Sequence, residues 1–133
     1  MFKTRVISDN GLRRWEGGVA IDIRLPWYRA LPLSTVEIAE VKIDGALIAA
    51  NETRFLINGE SLALDALPGR DKDWWYVLDS GFVLVPKRVL EIGSQHEVSV
   101  TVGIRPPYIP GFYRMTECTK RLKVEPETQG VTR

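Results

Sequence analysis

Two short turns, each between alternating apolar residues, do most to narrow the folds open to this chain. Val41-Lys42-Ile43 and Ala46-Leu47-Ile48 flank Asp44-Gly45, while Phe55-Leu56-Ile57 and Glu60-Ser61-Leu62 flank Asn58-Gly59. Asp-Gly and Asn-Gly accept the left-handed backbone of primed hairpin turns, and a two-residue turn leaves only one register for its strands. That register sets Val41 opposite Ile48 and Phe55 opposite Leu62. Apolar pairs of this kind contribute roughly 0.2–1 kcal/mol each, so turn chemistry and burial pattern agree.

The same period of two recurs along the chain. Val19, Ile21, Ile23 and Leu25 alternate with Ala20, Asp22 and Arg24, and Val98, Val100, Val102 and Ile104 alternate with Ser99, Thr101 and Gly103. Half-buried strands require this spacing. Further strands are predicted at Lys3–Ile7, Trp74–Leu78, Phe82–Val85 and Met115–Val124, giving eight or nine in all. Gly17-Gly18 reads as a turn, and Pro86 to Gly93 as one helical turn with proline at its start and glycine at its stop. Ser34-Thr35-Val36-Glu37 also fits a capping box that opens a helix through Ile38 and Val41. The Val- and Ile-rich run into Asp44-Gly45 favours a strand there. The expected fold is an all-β antiparallel sandwich of immunoglobulin or fibronectin-III-like type. It forms one domain over residues 1–125, followed by a polar, flexible tail over 126–133.

Length and charge then exclude whole classes of function. At 133 residues a single core can form without disulfides, and the chain is too short for a catalytic barrel. A net charge of +1 gives no field for gathering nucleic acid or an anionic membrane, so neither is an expected partner. The longest apolar runs, such as Phe82 to Val85, fall far short of a membrane span. Met1 to Asn10 carries charges where an export signal needs an apolar stretch, and Cys118 has no second cysteine to bridge. A cytoplasmic location is expected. Asn51-Glu52-Thr53 is then loop chemistry and not a glycosylation acceptor.

A search for a reactive centre finds none. His96 is the only histidine and reads as an exposed loop-end residue, and no ligand spacing suggests a metal. There is no phosphate loop and no nucleophile elbow. The carboxylate pairs Asp71/Asp73 and Glu37/Glu40 read as solvated, and Asp71 and Asp73 flank a cation of their own, Lys72. No catalytic residue, metal site or cofactor is therefore assigned to this chain.

What stands out instead is aromatic and stiff. The segments from Arg24 to Leu33 and from Arg105 to Tyr113 hold five of the eight prolines and five of the twelve aromatics. Each follows a well-patterned strand and ends it, because proline offers no donor and restricts its predecessor. Tyr, Trp and Arg dominate interface energetics, so Arg24, Trp27, Tyr28, Arg29, Leu33, Tyr108 and Phe112 are the candidate partner-contact residues. The competing reading has Trp27 and Tyr108 plugging the end of the sandwich. In Trp74-Trp75-Tyr76, alternation sends Trp75 opposite to its neighbours, so at least one large ring leaves the core. Trp74 and Trp75 are candidates for stacking on a sugar or a partner. A free-standing carbohydrate-binding module using Trp74, Trp75 and Tyr76 is one alternative function, and a structural or adhesion module is another.

At these residues the chain resembles the small, or β, subunit of bacterial C-glycoside deglycosidases. Arg24 to Ser34 is similar to the family's run of arginine, apolar, proline, two aromatics, arginine, small, apolar, proline, leucine and serine. Trp27 and Ala30 stand where tyrosine and glycine are more usual. Val41 to Gly45, Asp73-Trp74 with the later Asp79, and His96 to Arg105 ending in Tyr108-Ile109-Pro110 follow in the family's order. The resemblance implies a non-catalytic subunit of a hetero-oligomer built of αβ units. Its TIM-barrel large subunit would hold a divalent metal, manganese or similar, and the acid and base groups. It implies cleavage of the sugar–aglycone carbon–carbon bond of 3-oxo-C-glycosides by elimination, a lyase reaction of C-glycoside catabolism.

Overall fold

Both primed turns have the backbone they need, with Asp44 and Gly45 at φ 53° and 81° and Asn58 and Gly59 at 53° and 79°. Val41 pairs with Ile48 and Phe55 with Leu62, the registers expected from the turns. A third hairpin of the same kind turns at Glu16 and Gly17, at φ 42° and 87°, with Trp15 opposite Gly18. The turn thus lies one residue before Gly17-Gly18, and Gly18 is already in the ladder.

The computed structural model describes residues 4–127. Among them the strands run β1 (Ile7–Trp15), β2 (Gly18–Ile23), β3 (Leu31–Pro32), β4 (Val36–Ile43), β5 (Ala46–Ile48), β6 (Arg54–Ile57), β7 (Glu60–Ala63), β8 (Trp74–Trp75), β9 (Gly81–Val85), β10 (Gln95–Ile104) and β11 (Arg114–Lys123). Short 3-10 turns lie at Leu33–Thr35, Ala50–Glu52 and Leu64–Gly69. One sheet has the order β1-β2-β9-β6-β7, the other β11-β10-β4-β5, and β3 and β8 form a separate two-stranded ribbon. The pairs within the sheets and the ribbon are antiparallel.

The core lies between the sheets. Val19, Ile21 and Ile23 of β2, Val83 and Val85 of β9 and Phe55 of β6 face Val36, Ile38, Val41 and Ile43 of β4 and the alternating Val98 to Ile104 of β10. This is the all-β antiparallel sandwich expected from the sequence. Cys118 is buried in the same core. A second, smaller apolar cluster, Ala20, Leu56 and Leu84 beneath Trp15 and Phe82, forms separately from this core.

Two irregularities account for segments that alternation alone misjudged. On β4, Val102 pairs with Ile38 but Thr101 with Glu40, so one extra residue is accommodated. This bulge lets Ile38 and Val41 face the core together although they are three apart, the spacing that also suggested a helix. On β1, Ile7 pairs with Ile23 and Leu12 with Ile21, and the excess chain passes through Asn10 at φ 58°. A Cβ on Gly11 would stand 2.7 Å from the Ser8 carbonyl oxygen.

Other boundaries differ from expectation. Of Lys3–Ile7, Lys3 lies outside the described residues and Thr4–Val6 turn before the strand begins at Ile7. Val6 and Ile7 are both fully buried, which a regular strand with one solvated face does not permit. Of Trp74–Leu78 only the first two residues pair, since Asp79 N–H reaches back to the Tyr76 carbonyl and turns the chain. Pro86 to Gly93 forms no helix; Arg88 N–H closes one turn on Val85 and Gly93 sits at φ 90°. Within the 126–133 tail, residues 128–133 lie outside the described residues. Among the described residues no helix is long and apolar enough to cross a membrane.

Candidate functional site

The two aromatic loops leave different sheets and meet. The first follows β2 and turns sharply at Pro26, where Trp27 N–H bonds back to the Leu25 carbonyl at 2.9 Å. The second follows β10 and is wound by bonds from Ile109 N–H to Pro106 and from Phe112 N–H to Ile109, with Gly111 at φ 76° supplying the left-handed step. Arg105 N–H to the Thr35 carbonyl, 2.8 Å, fixes where the second loop departs.

Side chains then lock the loops together. The Trp27 indole Nε1–H donates to Tyr108 Oη. The Trp27 ring lies 5.6 Å from that of Phe112 and 5.3 Å from that of Tyr28, at tilted angles favoured by aromatic pairs. Tyr28 is 61% and Tyr108 47% exposed and form an outer face, while Trp27 is half-buried and packs against the core, so that it closes the end of the sandwich as well as supporting that face. Trp27, Tyr28, Arg29, Tyr108 and Phe112 share one surface only if β2 and β10 end at the same pole; they do, and the five lie within a single cluster.

Guanidinium groups cover this cluster. Arg29 stands 5.3 Å over Tyr108, Arg105 4.2 Å over Tyr113, and Arg114 5.6 Å over Phe112 and 6.0 Å over Trp27. Tyr113 donates to Glu37 Oε1 at 3.0 Å, and Arg105 approaches the same oxygen at 3.8 Å. Burial, reinforced by the hydrogen bond to Glu37 and that carboxylate's charge, pushes the Tyr113 phenol above its ordinary range. Arg105, Tyr113, Arg114 and Glu37 were not singled out from the sequence as site residues. The signal was present as arginines bracketing the proline-rich run, but only the pairing of β10 with β4 and β11 brings Glu37 beside Tyr113.

Three expectations are corrected. Leu33 is 1% exposed and belongs to the core; its N–H bonds to the Asp73 carbonyl as the chain enters a 3-10 turn, which rolls the side chain inward. Trp75 is fully buried, 5.2 Å from Phe55, with its indole N–H on the Asp79 carbonyl. Pairing of Leu31 with Trp75 turns that ring inward and leaves Trp74 and Tyr76 outside, so the proposed stacking surface loses its middle ring. His96 is not an exposed loop end. It is half-buried near the start of β10, with Ser94 Oγ 2.8 Å from Nε2 and Asp44 Oδ2 2.6 Å from Nδ1.

That Ser–His–Asp file is arranged as a clip. Ser94 Oγ donates to the Glu91 carbonyl at 2.6 Å, which turns its proton away from the imidazole. Asp44 Oδ1 accepts Glu97 N–H, tying the β4–β5 turn to β10. The His96 hydrogen bond, and after it that of Glu97, hold the Asp44 carboxyl below its ordinary range.

Arg24 is held within the chain. Its guanidinium donates to Ser80 Oγ and the Leu78 carbonyl and lies 4.0 Å from Asp22. It lines a groove of about 620 Å³ with Arg5, Asp9, Trp27, Tyr28 and Lys120. Lys120 there bonds Asp9 and the Ile7 carbonyl. Of the paired carboxylates, Asp73 and Glu60 share Arg70, and Glu40 meets Lys42 at 3.5 Å. Among the described residues no group of three or more His, Cys, Asp or Glu side chains is placed to hold a metal ion.

Comparison with known sequences adds a family. A sequence model described as C-glycoside deglycosidase beta subunit matches residues 2–108. The 3'-dehydrocarminate deglycosidase beta subunit of a Microbacterium species is 44% identical over 110 residues, covering 83% of each chain. A C-glycoside deglycosidase beta subunit of Microbacterium trichothecenolyticum is 38% identical over 109 residues, covering 82% of each. One from Arthrobacter globiformis is 31% identical over 109 residues, covering 82% of this chain and 83% of its own.

Proposed function

The chain belongs to the C-glycoside deglycosidase beta subunit family, and from that membership we propose that it is the small subunit of a heteromeric C-glycoside deglycosidase, without a reactive centre of its own. In this reading its work is to dock onto a TIM-barrel large subunit. That subunit holds the divalent metal and the acid and base groups that cleave a 3-oxo-C-glycoside by elimination. The small subunit orders the barrel's loops and keeps water from them.

One observation carries the reading. Two loops from different sheets converge on one aromatic cluster, joined by the half-buried Trp27 and the exposed Tyr108, with Tyr28 also on its outer side. Exposed Tyr rings backed by a half-buried Trp and flanked by Arg supply large contact area at low entropic cost.

The test is co-expression of Trp27→Ala with Tyr108→Ala beside the large subunit. Loss of co-purification and of turnover of a 3-oxo-C-glycoside is expected. Undiminished assembly and activity would remove this face from the interface, and turnover by the small chain alone would overturn the assignment of a supporting role.

A further inference from the structure

We propose that the aromatic face receives a carboxylate-bearing loop of the partner subunit, clamped by Arg29 and Arg114. The proposal rests on the reading of this face as the docking surface and goes beyond it by stating the chemistry of what docks.

The argument begins with how these arginines are held. A guanidinium within about 6 Å of a ring centroid is attracted by the ring's face, and that attraction to a ring leaves a carboxylate still to be supplied for its five N–H donors. Arg29 over Tyr108 and Arg114 over Phe112 and Trp27 are in this position. Among the described residues neither makes an ion pair or donates a side-chain hydrogen bond, whereas Arg24 and Arg70 do both. Glu37, the carboxylate these loops do contact, is already engaged by Tyr113 and Arg105. Positive charge is thus concentrated here on a chain whose net charge is only +1.

A partner that covers the exposed rings must also cover these two guanidinium groups. An apolar partner would leave buried charges unpaired, which is strongly unfavourable, while carboxylates match the planar donor edge in bidentate fashion. A second copy of this chain is a poor occupant. A two-fold contact through this face would set one basic patch against another of the same sign, with no carboxylate brought in for Arg29 or Arg114. The occupant that fits is an acidic segment of a different chain.

The test measures the affinity of the full-length chain for its partner subunit at about 50 and about 500 mM sodium chloride, a range that spans strong and weak screening. The wild-type complex is expected to weaken about tenfold or more across that range. Arg29→Glu with Arg114→Glu is expected to weaken it about 100-fold or more at low salt and to flatten the salt dependence. Should the reversed chain fail to fold, as judged by circular dichroism, Arg29→Gln with Arg114→Gln carries the same comparison. Salt-independent binding that survives charge reversal, while Trp27→Ala with Tyr108→Ala still abolishes it, overturns the acidic occupant and leaves the docking face standing. Full binding by both double variants overturns the docking face as well. Self-association of the isolated chain that reversal abolishes assigns the face to a second copy and overturns the proposal.

Discussion

The indole nitrogen of Trp27 donates to the phenolic oxygen of Tyr108 across 81 residues of sequence, joining a loop that leaves β2 to one that leaves β10. This bond sits on an exposed face, so its worth to the isolated fold is small and its worth to the shape of that face is large. Tyr108→Phe is expected to lower folding stability by about 1 kcal/mol or less, as for a neutral hydrogen bond with solvent access. The same variant should weaken subunit association roughly tenfold, because the two loops lose their fixed spacing. Denaturant unfolding and a binding titration on one preparation check both halves.

Neighbouring tryptophans should behave oppositely. Trp75→Ala empties a fully buried site against Phe55 and orphans the Asp79 carbonyl, and should cost about 3–5 kcal/mol. Trp74 is 40% exposed, and Trp74→Ala should cost about 1 kcal/mol or less. Urea midpoints for the two variants decide it; equal losses would contradict the inward placement of Trp75.

Acid should loosen the clip at the β4–β5 turn. The Asp44 carboxyl is held below its ordinary range by His96 first and the Glu97 N–H second. A depressed carboxyl contributes stability above its unfolded value, near 4, and loses it as pH falls through the folded value. Asp44→Asn keeps the turn-forming side chain and should flatten the acid limb of stability against pH below about pH 4. In His96→Ala the midpoint of Asp44, followed by carboxyl carbon resonances, should rise toward the ordinary range.

Two glycines test what surrounds them. A Cβ on Gly18 would lie 2.3 Å from the Val85 carbonyl oxygen and 2.7 Å from Pro86 Cα, both backbone, so Gly18→Ala must part the strands and should cost about 1–3 kcal/mol. A Cβ on Gly103 would meet Tyr113 Oη at 2.8 Å and Glu37 Oε1 at 3.2 Å, the ends of mobile side chains. Gly103→Ala should leave stability within about 1 kcal/mol while moving the phenol off Glu37. Alkaline absorbance titration should then show the Tyr113 phenol shifted down, with the sign set by loss of burial and of the Glu37 contact.

The hairpins were legible because Asp44-Gly45 and Asn58-Gly59 state their backbone in residue type, and register follows from it. The turn at Glu16-Gly17 was nearly so; glutamate is an unusual left-handed residue, which hid its first position. The bulge on β4 left a mark in the sequence, the three-residue step from Ile38 to Val41, but one that helix and bulge share. For Trp74 to Tyr76 alternation gives parity without direction. Only the pairing of β3 with β8 decides which ring goes inward. Leu33 misled for a similar reason, since its place in an aromatic loop says nothing of the 3-10 turn that rolls it under. The convergence of the two loops was conditional on the ends of β2 and β10 sharing a pole, which local sequence does not contain. The arginine coverage needed that convergence first.

The Trp27 loop is carried by the five-stranded sheet and the Tyr108 loop by the four-stranded one, so the distance between their anchor points is a reading of how the layers are seated. Close-packed interiors pass small displacements along instead of absorbing them. A change of one methyl group at Ile21 or Val100, both fully buried between the layers, would therefore be felt as a changed spacing of Trp27 and Tyr108. The shape of that outer face is set in the interior of this protein at least as much as on its exterior.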